Sequence, residues 1–491
     1  MSNKESEPAN VEIPRHVREV LSKNSGVSLV EQIVAIIKSK IDDKLYRGGT
    51  RVPSIRAFSD EYGVSKFTVV EAYDRLVAKG YLDSRRGAGF FVNDRAQLTV
   101  PRSAAFAEES VSQQIDIAWL VRSMFHQGPS QSMPGSGLLP ADWMNSGIVG
   151  NSFRAVARVS SNRIFQYGSP QGYLPLRQQL QHKLASVEIA ATPEQIVTTA
   201  GVTQGLDLIA RHLLAPGDVV FVDDPAWFLV FGSYASFGVK VVGIPRLADG
   251  PDIPTLMQMA ELHRPKMYVI NSILHNPSST SLSLAKAYQV LNAAVKYDFL
   301  IVEDDIYSDL HLGNGGQSGA RIASLDQLER VIYLGGFSKT LAANLRVGFI
   351  ACSRELARQL TDRKILSTLT TSEIGEMVVY RVLSEGHYRK HVERLRSRLD
   401  EPRESIMKSL TQLGLKISLS PSAGMFLWAD AGTDTNILAT QAMKNGLLLA
   451  PGALFSPTQL PSNWMRINIA AMADPGILKA FIELMRQVKT T

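Results

Sequence analysis

The chain has 491 residues, 45% of them hydrophobic and 20% charged, with a net charge of +6 and one cysteine, Cys352. This make-up suits two or three globular domains. It excludes an intrachain disulfide framework, and no stretch approaches the roughly 18 consecutive apolar residues that a membrane helix needs. The first ten residues have no apolar signal-peptide core, so the expected compartment is a reducing cytoplasm with no membrane partner.

Residues 1–23 are polar and aperiodic and read as a loose tail. From Leu29 to Lys44, the residues Val30, Ile33, Val34, Ile37 and Ile41 recur at helical spacing, until Gly48-Gly49 breaks the pattern. Pro53-Ser54 opens a second short helix running to Tyr62. Gly63 turns the chain, and Ser65 is placed to cap a third helix ending at Lys79-Gly80. Three helices with a glycine turn before the last predict a helix-turn-helix. Tyr81 to Val92 then reads as strand, glycine turn and strand, a two-stranded wing. Residues 94–114 lose pattern and form an expected linker. Beyond them, apolar β-rich runs at 195–199, 218–222, 267–270, 299–302 and 331–334 alternate with helical stretches. This order predicts an α/β unit over 115–491 with a mostly parallel central sheet.

In a helix-turn-helix the N-terminal end of the last helix meets base edges while cations outside it hold phosphates. Ser65, Lys66 and Thr68 stand at that end here; Arg51, Ser54 and Arg56 lie upstream; Arg85 and Arg86 lie at the wing tip. The plain alternative is a small helical accessory domain whose charges face solvent. The pattern Arg51-x-Pro-Ser-x-Arg56, Gly63-Val-Ser-Lys-x-Thr68 and Ala72-Tyr73-x-x-Leu76-x-x-x-Gly80 resembles the GntR-type winged helix, which implies binding to double-stranded DNA through these residues.

The larger unit carries the parts of a pyridoxal phosphate (PLP) site in chain order. Gly201-Val-Thr-Gln-Gly205 follows a strand and opens a helix, so its N–H groups can cradle a phosphate. Trp227 follows the next strand and can lie on a ring, or simply fill a core. Asn276 precedes Pro277, and can donate to a phenolate oxygen or merely form a turn. Glu303-Asp304-Asp305 closes an apolar strand at the carboxyl edge of the sheet, where α/β proteins place ligands. Asp304 is suited to hold a ring nitrogen protonated, and Tyr307 follows it. Lys339 ends Tyr333-Leu-Gly-Gly-Phe-Ser-Lys, the amine that Schiff-base chemistry requires. Arg346 can add a second cation, and Arg466 on a late strand can clamp a carboxylate.

From about residue 115 onward the sequence looks like a fold-type I aminotransferase. That resemblance implies phosphate contacts from Val202, Thr203, Gln204 and Arg346, a cofactor contact from Ser338, and stacking by Trp227. It assigns Asn276 and Tyr307 to the phenolate, Asp304 to the ring nitrogen, Lys339 to the Schiff base and Arg466 to the effector carboxylate, with no metal. It also implies a homodimer in which Tyr167 reaches the partner's phosphate. Two positions depart from the family pattern. Gly336 replaces a hydroxyl residue three before the lysine, and no Pro-Gly precedes Arg346; both imply a looser hold on the cofactor.

A GntR-type head joined to such a body resembles the MocR subgroup of transcriptional regulators. The resemblance implies a DNA-binding regulator whose body senses PLP or a small amino compound through aldimine formation at Lys339. The alternative is a cytoplasmic PLP-dependent aminotransferase with an accessory N-terminal domain.

Overall fold

The computed structural model describes residues 21–22, 26–93, 132–159, 165–311 and 319–490. The expected tail (apart from residues 21–22), the 94–114 linker and the start of the 115–491 unit lie outside the described residues. The chain divides into two compact units, residues 1–113 and 114–491.

The N-terminal unit holds α1 (Leu29–Asp42), α2 (Ile55–Tyr62), α3 (Lys66–Ala78), β1 (Leu82–Arg85) and β2 (Gly89–Val92). Serine starts each helix. Ser28 and Glu31 form a capping box at α1, Ser54 Oγ accepts from the Ala57 N–H at α2, and Ser65 Oγ accepts from the Thr68 N–H at α3. Such caps are worth about 1 kcal/mol each. Gly63 ends α2 with φ 64, a left-handed conformation that lets the turn into α3 stay tight. Ile33, Ile37 and Ile41 of α1 pack with Phe58, Val69, Tyr73, Leu76, Leu82 and Val92 in one core. The Tyr73 hydroxyl donates to the Pro53 carbonyl at 2.8 Å, tying α3 to the start of α2. The strands pair antiparallel from Leu82 opposite Val92 to Arg85 opposite Gly89, which makes the wing.

In the C-terminal unit an eight-stranded sheet contains β3 (Ile196–Thr199), β4 (Val219–Asp224), β5 (Lys240–Leu247), β6 (Gly250–Pro251), β7 (Met267–Ile270), β8 (Leu300–Asp304), β9 (Val331–Gly336) and β10 (Gly348–Ala351). Their order is β3-β10-β9-β8-β7-β4-β5-β6. The run β9-β8-β7-β4-β5 is parallel throughout, while β10 runs antiparallel to both its neighbours. The sheet is therefore mostly parallel, as expected. Alternate residues of one strand serve opposite faces: Phe221 and Ile301 enter one core, Val220, Val222 and Val302 the other. Helices cover both faces, which explains why these strands read as near-continuous apolar runs.

A second sheet, β11 (Lys416–Ile417), β12 (Phe426–Asp430), β13 (Ala450–Pro451) and β14 (Trp464–Asn468), packs with the long helix His387–Gln412 and the last helix, Pro475–Thr490, around its own core. Among the described residues no helix is long and apolar enough to cross a membrane.

Candidate functional site

Lys339 stands three residues past β9, at the carboxyl end of the parallel strands. Its Nζ donates to the Gly137 carbonyl at 2.9 Å and lies 5.8 Å from the centre of the Tyr307 ring. Burial, helped by the Arg466 guanidinium and opposed by Asp304, lowers this amine to a pKa of about 8. A neutral, nucleophilic form is thus within reach near neutral pH.

The three acids that close β8 have separate tasks. Glu303 accepts from the N–H groups of Ile322 and Ala323, both at 2.8 Å. Asp305 takes Arg321 at 2.7 Å and the Tyr333 hydroxyl at 2.6 Å. Asp304 alone of the three lines a small cavity with Trp227, Asp223 and Asn271. Its Oδ1 accepts from the Ile306 N–H at 3.2 Å, and Asn271 Nδ2 donates to its carbonyl at 2.7 Å. Burial pushes the Asp304 carboxyl up to about 6, so a cation set against it would favour the ionised form.

Asn276, Tyr307 and Arg466 form a chain beside the lysine. Asn276 Nδ2 donates to the Tyr307 hydroxyl at 3.2 Å, and Arg466 Nη1 donates to Asn276 Oδ1 at 2.9 Å. Arg466 comes from β14, and its guanidinium lies 4.5 Å from the Phe426 ring centre and 5.0 Å from that of Phe455. Burial lowers it to about 10. Its Nη2 donates to the Gly135 carbonyl at 2.8 Å, while its buried Nε has no partner. Asn468, two residues on, donates to the carbonyls of Ser136 at 2.9 Å and Leu138 at 2.7 Å. Lys339, Arg466 and Asn468 together hold the backbone of residues 135–138.

At the far end of the site Gly201, φ 83, starts α4 (Val202–Leu213). A Cβ there would come within 2.8 Å of the Arg346 guanidinium, whose Nη2 donates to the Ala200 carbonyl at 2.6 Å. The first N–H groups of a helix have no carbonyl within it, and beside a fixed guanidinium they make an anion site. Gln204 turns its side chain back, with Oε1 accepting from the Ala200 N–H at 2.6 Å and Nε2 donating to Thr368 Oγ1 at 3.3 Å, which leaves its backbone N–H to face an anion there. Val202 and Ser338 are buried and Thr203 is exposed. Tyr167 is not brought to the site within one chain: it is 81% exposed.

This set fits PLP. It supplies an amine near neutrality, a buried carboxyl suited to a cationic ring nitrogen, a polar pair for an oxyanion, an indole at the cavity wall and a positive helix end for a phosphate.

In the N-terminal unit the residues from 49 to 52 run beside β2, with Gly49 N–H on the Val92 carbonyl and Val52 N–H on the Phe90 carbonyl. This brings Arg51 to the wing, where its guanidinium crosses Gly89. Arg85 lies over the Phe91 ring at 4.4 Å, and Arg86 is exposed in the turn. Arg56 is exposed and pairs loosely with Asp60 at 4.0 Å. Ser54 and Ser65 accept as caps, and the Thr68 hydroxyl meets Ser65 Oγ at 2.7 Å, so these three carry a structural task as well. Lys66 opens α3 and is exposed.

Residues 135–482, well over half of the chain, match the model described as aminotransferase class I and II. The chain belongs to that family. Residues 29–92 match the model of bacterial regulatory proteins of the gntR family. Over 93% of its length the chain is 27% identical to a Bacillus subtilis protein named as an uncharacterized HTH-type transcriptional regulator, YdfD, of which it covers 96%. Aromatic-amino-acid aminotransferase 1 of Thermococcus litoralis is 29% identical over 70% of this chain and 84% of that one. The solved structure of a kynurenine aminotransferase from Pyrococcus horikoshii aligns with a TM-score of 0.69 at 25% identity, covering 78% of this chain and 97% of that one.

Within the aminotransferase-family unit, Gly336 has room for a side chain. A Cβ there would stand 3.3 Å from Val202 Cγ2 and 3.5 Å from Gly348 Cα, so a small shift of Val202 admits it. Gly336→Ser is expected to tighten PLP binding about tenfold in an equilibrium titration, the scale of one hydrogen bond to a charged group. An unchanged dissociation constant would show that no contact is missing at this position.

Sequence reasoning missed Gly135, Gly137 and Asn468. The first two act through backbone carbonyls, which carry no side-chain signature; the glycine-rich Pro134-Gly-Ser-Gly137 was the available signal. It also passes over Phe67, the apolar residue between Lys66 and Thr68.

Proposed function

We propose that the chain is a PLP-dependent, DNA-binding transcriptional regulator of the cytoplasm. Residues 24–93 bind double-stranded DNA, residues 94–114 link the units, and residues 115–491 bind PLP together with a small amino compound. The observation that carries this reading is the coexistence, in one chain, of a capped helix-turn-helix with exposed cations and a buried lysine flanked by Asp304, Asn276, Tyr307 and Arg466. Relatives matched over nearly their full length and named as HTH-type transcriptional regulators support it. The match to Aromatic-amino-acid aminotransferase 1, by contrast, stops at 70% of this chain.

In this reading Val202, Thr203, Gln204 and Arg346 hold the phosphate, Ser338 contacts the cofactor, Trp227 lies on the ring and Asp304 holds the ring nitrogen. Asn276 and Tyr307 meet the phenolate oxygen, Lys339 supplies the amine for covalent attachment, and Arg466 receives the carboxylate of the amino compound. When bound, PLP supplies a carbonyl carbon that primary amines attack. Tyr167, exposed in one chain, reaches the phosphate of a partner in a C2 homodimer. Such a dimer also presents two recognition helices to paired half-sites. A ligand shifts the DNA-binding equilibrium only by its differential affinity for two states of the protein.

The deciding experiment titrates the full-length protein with DNA from upstream of its own gene, without ligand, with PLP, and with PLP plus a panel of amino acids. Specific binding that responds to ligand is expected. Arg56→Ala should weaken it across sequences and reduce the salt dependence by about one charge. Absence of specific binding, with amino-group transfer in the same samples, would establish the enzyme instead.

A further inference from the structure

Among the described residues of the N-terminal unit, two large apolar side chains are more than two-thirds exposed, Leu45 at 71% and Phe67 at 77%. Leu45 lies in the loop after α1. Phe67 is the second residue of α3. Val69, Ala72, Tyr73 and Leu76 form the buried face of that helix. At 3.6 residues per turn, position 67 falls on the opposite pole, together with Glu71 and Asp74. Phe58 and Tyr73 of the same unit are buried, so its fold has a place for aromatic rings and does not use it for this one.

We propose that Phe67 reads thymine, packing its ring against the 5-methyl group of a thymine in the major groove and so selecting an A·T pair at that step. The inference rests on the DNA-binding reading of α3 given above. Residues at the N-terminal end of a recognition helix face base edges. In the major groove, thymine's methyl is the apolar group that a base edge presents. A phenyl ring has no donor or acceptor, so set against a G·C edge it would leave that edge's polar groups unpaired. The neighbouring hydroxyls are already engaged, Ser65 as the cap of α3 and Thr68 with Ser65, which leaves Lys66 and Phe67 as the outward groups of the first turn. Glu71, one turn on, is neutralised by Arg75 at 2.7 Å, which limits its repulsion of phosphates.

The test removes single methyl groups from DNA. The PLP-loaded full-length protein selects a duplex from a randomised library, and each thymine of that duplex is replaced in turn by deoxyuridine. At one thymine per half-site the wild type is expected to lose about fourfold in affinity, the scale of one buried methyl. Phe67→Ala should bind the thymine and deoxyuridine duplexes equally, whereas Phe67→Leu should keep part of the preference. Since Phe67 is exposed, both variants are expected to melt at the wild-type temperature. If the wild type is indifferent to every replacement, or if Phe67→Ala keeps the full preference, the assignment is wrong while the DNA-binding reading stands. If the wild type selects no sequence, both fall.

Discussion

Lys339→Ala is expected to remove the visible absorbance of the PLP-loaded protein and every response of DNA binding to amines. DNA affinity without ligand should stay unchanged, because Lys339 belongs to the other compact unit and its replacement leaves the core and helix caps of the N-terminal unit intact. The same residue sets a pH signature in the wild type. The neutral amine is the reactive form, and burial lowers Lys339 to about 8. Below that value the amine is protonated, so the rate of PLP uptake by the apo-protein should fall tenfold per pH unit. Above it the rate should level off, whereas a solvent lysine would go on gaining to about 10.4. A variant that still responds to amines, or a wild-type rate that climbs past pH 10, would remove Lys339 from its role.

The second large effect is expected at Arg466. Arg466→Lys keeps the charge but loses the planar fork that reaches Asn276 Oδ1 and the Gly135 carbonyl at once. Affinity for an α-amino acid should fall about 10- to 100-fold, the range of charge-assisted hydrogen bonds. Affinity for the corresponding amine without a carboxylate should hold. The two classes are best compared side by side by calorimetry on PLP-loaded protein. Equal losses for both would mean that Arg466 organises the site without reading the carboxylate.

Much of this architecture was legible because burial imposes a period. The α1 stripe of Ile33, Ile37 and Ile41 and the apolar runs of β4, β7, β8 and β9 each announce their element. The strand β10, Gly348–Ala351, was not read from the sequence although it is as long as β7. The antiparallel strands β11 and β13 were hidden because two residues each are too few to establish a pattern. At the site, the sequence located the acidic triplet on the carboxyl edge. The sorting of Glu303 to a helix start and Asp305 to Arg321 depends on partners 16 to 20 residues away. Ser54 and Ser65 show the opposite limit. A serine before a helix satisfies the pattern of a cap and that of a DNA contact equally, and in the fold its oxygen accepts from the backbone. Tyr167 belongs to a reading that needs a second chain, and one chain leaves it in solvent.

The hold of Lys339 and Arg466 on the Gly137 and Gly135 carbonyls has a thermodynamic corollary. An amino acid that engages both side chains must compete with those carbonyls, so the segment and the ligand are rivals for the same donors. Linkage then makes the rivalry reciprocal: whatever factor ligand occupancy takes from the grip on residues 135–137, a tighter grip takes from ligand affinity.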